Sequence, residues 1–216
     1  MKNKKIFIFL ILFFLLIIIS IFFKNAYKTS KTGNTIIKSS NDLAEYILNI
    51  SSYESQIEMQ VNSNKNTSKY IINQKYSEPN IFKQEIIEPS NIQGVTITYD
   101  GTNLKIENSK LNLLQIYEKY EYVADNTLCL NNFIKNYRES NTSNFEEKDN
   151  EIIMKTDIQN NSYIQKAMLY VSKEKKLPTK LELMDKNEKV LVYILYNEIK
   201  INNTTGEDVL AFNFEN

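Results

Sequence analysis

The chain has 216 residues, 26 of them basic and 26 acidic, with one cysteine and neither histidine nor tryptophan. Without histidine there is no Ser-His or Cys-His pair, no HExxH zinc site and no imidazole base near neutral pH, which excludes most hydrolase and metalloenzyme mechanisms. The charge is unevenly divided: residues 1–41 hold seven Lys and no acid, while residues 42–216 hold 19 basic and 26 acidic residues and carry −7, a balance that excludes nucleic acid as a partner.

The first element is the run MKNKKIFIFLILFFLLIIISIFFKNAYKTS. From Ile6 to Phe23 there are 18 residues with only Ser20 interrupting the apolar side chains. At ~1.5 Å per residue a helix of this length spans close to the ~30 Å hydrocarbon core. Secretory leaders have shorter apolar regions and a small-residue cleavage site, whereas the flank here reads Phe22-Phe23-Lys24-Asn25-Ala26-Tyr27. A lipoprotein leader needs a cysteine directly after the apolar stretch, and the single cysteine is Cys129. An uncleaved anchor bounded by Ile6 and Phe23 is the better reading; a cleaved leader is the alternative. Lysines flank both ends (Lys2, Lys4, Lys5; Lys24, Lys28, Lys31), so charge barely biases insertion. The short leading segment favours a cytoplasmic amino terminus and an extracytoplasmic body. The expected organisation is a cytoplasmic tip and signal-anchor over 1–27, a polar, basic linker over 28–38 and one folded domain over 39–216, large enough for a real core.

In the body, Asp42-Leu-Ala-Glu45 reads as a capping pair, and Leu43, Ala44, Ile47 and Leu48 follow at helical spacing to about Ser51. The period then changes to 2. ESQIEMQVN and SKYIINQKY form two strands around a polar turn, NIFKQEII a third that Pro89 ends, and GVTITYDGTNLKIEN a hairpin. Asp100-Gly101 is its turn, because a tight hairpin needs positive φ, which Gly adopts freely and Asp tolerates. LNLLQIYEKYEYV reads as another strand or two, and Leu130, Phe133, Ile134 and Tyr137 as a second short amphipathic helix. EIIMKTDI, YIQKAMLYVS, TKLELMD and KVLVYILYNEIKIN close the chain as strands, the last pair joined at Asp185-Lys186-Asn187. Val190–Tyr196 is apolar at seven consecutive positions, so it is either the most central strand, which we favour, or an interface strand. The sum is an α+β domain: a large antiparallel sheet with two short helices.

Cys129 lies in NTLCLNNFIKNY and reads as a buried small apolar residue, not a nucleophile. Carboxylates are dense, with Glu85 and Glu88, Glu118 and Glu121, Glu146 and Glu147 in near pairs. A glycosidase pair needs two carboxyls roughly 5–9.5 Å apart on facing elements, which sequence proximity does not supply. Taken one at a time, the 14 tyrosines suit half-buried strands as well as they suit a sugar- or partner-binding surface. No catalytic residue, metal or cofactor is expected.

Together, the first helix, the meander carrying EPSNIQGVTITYDGTNLKIEN, the helix around NNFIKNY and the closing LYVSKEKKLPTKLELMDKNEKVLVYILYNEIKIN resemble the clostridial GerS-related germination lipoproteins over about residues 42–214. Those proteins have a domain similar to LolA, an incomplete antiparallel barrel around helices. The shared features are mainly structural: Pro89, Gly94, Asp100-Gly101, Pro178 and Asp185. The resemblance implies a non-enzymatic protein of a spore former, at the cell or forespore membrane, that binds and enables a cell-wall amidase acting on cortex peptidoglycan. LolA-type carriers of lipoprotein acyl chains supply the alternative, in which the hollow binds lipid. The relatives are tethered through a lipidated cysteine; here the apolar helix would replace it.

Overall fold

A computed structural model of the protein describes residues 37–63, 65–120, 128–159 and 161–211. The expected span Ile6–Phe23 lies outside the described residues; among those described, no helix is long and apolar enough to cross a membrane.

Helix α1 (Ser40–Leu48) opens the described body. It starts earlier than the Asp42-Glu45 pair suggests, because the cap is Ser39. The Ser39 hydroxyl accepts the Asp42 N–H at 3.1 Å, and the Asp42 carboxylate accepts the Ser39 N–H at 3.0 Å. Asp42 is therefore the third helical residue of a capping box, not its N-cap. The buried stripe of α1 is Leu43, Ala44, Ile47 and Leu48.

Six strands follow: β1 (Ser52–Asn62), β2 (Thr67–Ser77), β3 (Ile81–Glu88), β4 (Thr96–Tyr99), β5 (Leu104–Asn108) and β6 (Leu113–Tyr117). Helix α2 (Leu130–Glu139) leads to β7 (Asn144–Glu147), β8 (Glu151–Asp157), β9 (Lys166–Ser172), β10 (Leu177–Met184) and β11 (Val190–Ile201), and α3 (Gly206–Ala211) ends the described chain. The alternation of apolar and polar residues does not reveal β7 or α3: β7 is a four-residue strand with two glutamates, and α3 is one short turn and a half with a single buried residue, Val209.

The 11 strands form one open antiparallel sheet in the order β6-β5-β4-β3-β2-β1-β11-β10-β9-β8-β7. Each half is a meander in which sequence neighbours pair, so loop closure is short. The halves meet where β1 pairs with β11, and the passage from one sheet edge to the other runs through α2. β11 is thus interior, between β1 and β10.

One face of the sheet is the core. Ile57 stands opposite Ile72 on one side and Tyr196 on the other, and Leu181 stands between Leu169 and Ile194. All six are buried. Helices α1 and α2 touch each other and β8, and α2 adds Leu130, Phe133 and Ile134 to the core. A bulge in β11 keeps the seam in phase: the register slips between Gln56↔Asn197 and Glu54↔Lys200. Glu198 takes up a positive φ of 49° there, and Ile199 is turned back into the buried layer.

Candidate functional site

Asp100 and Gly101 sit in the loop between β4 and β5. Tyr99 pairs with Leu104, and the Asp100 N–H donates to the Asn103 carbonyl at 3.2 Å, so the residues at the tip are Gly101 and Thr102, one place later than the Asp100-Gly101 pair. Gly101 has φ +96°, whereas Asp100 is absent from the left-handed region and works through its side chain. One carboxylate oxygen accepts the N–H groups of Thr102 (2.8 Å) and Asn103 (2.7 Å), the other the Asn103 side-chain amide at 3.1 Å. These donors, the Asn103 N–H first, hold the Asp100 carboxyl below the ordinary range. The loop also fixes the exit of β6: Asn103 Oδ1 accepts the Lys119 N–H at 3.3 Å, and the Thr102 carbonyl accepts the Tyr120 N–H at 2.8 Å.

Of the near pairs of carboxylates, Glu146 and Glu147 lie on the surface in ion pairs. Glu146 reaches Lys155 at 2.7 Å and Glu147 reaches Lys173 at 2.6 Å. Glu85 lies on the outer side of β3, its carboxyl raised by burial; Glu118 is exposed, and Glu121 lies outside the described residues. Among the described residues no group of three or more His, Cys, Asp or Glu could hold a metal ion. Cys129 is 4% exposed, and burial pushes its thiol up to about 12. Its sulfur accepts the Gln84 side-chain amide at 3.3 Å. The space between the sheet and α2 is occupied here by Tyr53, Ile57, Leu130 and Phe133, each less than 2% exposed.

The two edges of the sheet differ sharply. An edge strand offers unpaired N–H and C=O groups, and charged side chains are the usual protection against unwanted pairing. β7 has that protection in Glu146 and Glu147. β6, with the sequence LLQIY, has no charge at all. It pairs with β5 from Leu104↔Tyr117 to Asn108↔Leu113 and, among the described residues, with no other strand. Its outward side chains are apolar: Leu114 is 65% and Ile116 56% exposed, with Leu111 beside them at 52%. Exposed apolar side chains on an edge strand that has no charged residue are features to which a partner's strand can add. Periodicity located β6, but its exposure depends on its edge position, which sequence does not reveal.

Residues 3–210 match the family described as sporulation protein YdcC-like. No curated protein matches the chain. Among solved structures, an uncharacterized conserved protein from Thermus thermophilus is similar at 12% identity and TM-score 0.51, covering 82% of this chain and 96% of that one; this is a likeness of fold alone. A chain of the complex of the CwlD amidase from Clostridioides difficile with the GerS lipoprotein is similar at 25% identity and TM-score 0.47, covering 78% and 97%. The LolA superfamily protein NE2245 from Nitrosomonas europaea is similar at 12% identity and TM-score 0.41, covering 79% and 97%. The family match extends over nearly the whole chain, and by it this protein belongs to the YdcC-like sporulation proteins.

Proposed function

We propose that the protein is a membrane-tethered, non-catalytic sporulation protein that binds and enables a cell-wall amidase in spore formation or germination. The observation that carries this reading is the uncharged, apolar edge strand β6 in a member of a sporulation family. The partner class comes from the resemblance of the sequence to GerS-related proteins; the GerS lipoprotein occurs in complex with the CwlD amidase. Ile6–Phe23 anchors the chain with its amino terminus in the cytoplasm and its body outside, residues 28–38 serve as the linker, and the domain occupies 39–216. Catalysis is left to the partner.

The test is affinity capture of the full-length chain from membranes of sporulating cells, with carbonate washing and amino-terminal sequencing of the product. Co-purification of a cell-wall amidase supports the reading. Recovery of lipid or acylated protein in its place, with a saturable rise in melting temperature on adding fatty acid, would make the protein a LolA-like carrier. Ligand at 100 times its Kd would add ~2.7 kcal/mol. A mature chain that begins near Tyr27 would remove the anchor.

A further inference from the structure

The run Val190–Tyr196 is apolar on both faces, and the structure buries only one of them. Val192, Ile194 and Tyr196 enter the core, while Leu191, Tyr193 and Leu195 lie half-buried on the outer face. A strand in the middle of a sheet is ordinarily either covered on its second face or polar there; β11 is neither. Tyr193, Leu195 and Ile71 instead form part of an open groove of about 300 Å³. The register sets polar groups beside them: Glu58 stands between Leu195 and Ile71, and Gln60 between Tyr193 and Lys69. Glu88, opposite Ile71, completes the rim.

Two of the polar groups, Glu58 and Gln60, are held in place before any ligand arrives. Glu58 accepts the Asn197 side-chain amide at 2.9 Å, and the Gln60 amide donates to Asn62 at 3.0 Å. Lys180 lies 3.5 Å from the centre of the Tyr170 ring and 5.5 Å from that of Tyr193, with its ammonium 2.9 Å from Glu182. Such fixed groups cost little further ordering on binding.

We propose that this groove binds an uncharged N-acetylated amino sugar, the repeating ring of a glycan strand. The C–H face of a pyranose stacks on an aromatic ring and an aliphatic floor, as Tyr193, Leu195 and Ile71 provide. Its hydroxyl groups donate to carboxylates, here Glu58 and Glu88, and its acetamido group meets the amide of Gln60 and the ammonium of Lys69. Two carboxylates against one ammonium disfavour phosphates and fatty-acid headgroups. Lys180 beside Tyr193 disfavours a second cation on that ring. The volume is at the small end of ligand sites, about that of one or two sugar rings. The proposal does not depend on the amidase reading.

Calorimetric titration of the full-length chain, in a detergent without sugar headgroups, with the tetramer of N-acetylglucosamine tests it. Saturable binding is expected, weakened at least about tenfold by Tyr193→Ala and kept by Tyr193→Phe. Tyr163→Ala, at a site 81% exposed elsewhere, should bind as the wild type does. If Tyr193→Ala melts early, the double change Glu58→Gln, Glu88→Gln serves in its place and should also weaken binding. No saturable heat, undiminished binding by the folded Tyr193→Ala chain, or a preference for spermidine or palmitate over the sugar would each overturn the proposal. Amidase capture is a separate readout, so its failure leaves the titration interpretable.

Discussion

Tyr53 in β1 caps helix α2 from across the core: its phenolic oxygen accepts the N–H of Leu130 at 3.3 Å. The N-cap residue itself, Cys129, makes no side-chain cap, and the same tyrosine donates to Gln74 Oε1 at 3.4 Å. The helix that carries the chain from one sheet edge to the other is thereby anchored to the central seam.

Tyr53→Phe keeps the shape and removes the oxygen, leaving a buried N–H and a buried amide oxygen each short of a partner. The expected loss is about 1–2 kcal/mol, a fall of several degrees in Tm. Urea denaturation measures it; a midpoint equal to that of the wild type would mean that the first turn of α2 finds another acceptor.

Cys129 should be inert in the native state. Burial raises its thiol from the ordinary 9.0 to about 12, so at pH 8 reaction with a disulfide reagent should proceed only as fast as the domain opens, and rapidly in denaturant. The sign for stability follows from the raised value. The native state disfavours the thiolate, so stability is full below pH ~9 and declines as the pH rises towards ~12. Tyr76, also raised to about 12 by burial, adds to the same alkaline limb. Rapid labelling of the folded chain at pH 8 would contradict this placement of the thiol.

Gly101→Val should destabilise the domain by roughly 1–3 kcal/mol, since a β-branched residue is strained at positive φ. An added Cβ at Gly101 meets nothing within 4 Å, so the cost is one of backbone conformation and not of crowding. Gly101→Asn should therefore cost much less. Melting curves of the two variants separate these terms. Equal losses would assign the effect to the side chain.

Ile116→Lys puts a charge on the β6 edge in the way other edge strands are protected. Because Ile116 is 56% exposed, folding stability should change by no more than about 0.5 kcal/mol, while capture of the amidase partner should fall at least about tenfold. Undiminished capture by a folded variant would move the docking site away from this edge.

Much of this fold is local and legible in the sequence itself. Alternation in ESQIEMQVN, the Asp100-Gly101 and Asp185-Lys186-Asn187 turns, and the spacing of Leu130, Phe133 and Ile134 act over a few residues. Their consequences, strand, turn and helix, depend on backbone sterics and on which side chains share a face. What joins these pieces acts over long separations and leaves no local trace. The pairing of β1 with β11 links positions some 140 residues apart, as in Ser55 donating to the Asn197 carbonyl, and its bulge at Glu198 follows from matching two buried layers. Tyr53 carries no mark of a helix cap, because the helix it serves lies 77 residues on. β7 and α3 are too short for periodicity and are held by their neighbours. The exposure of β6 and the half-covered face of β11 were likewise set by position in the sheet: identical alternation is core in one place and edge in another, since burial depends on what packs against a strand and not on the strand alone.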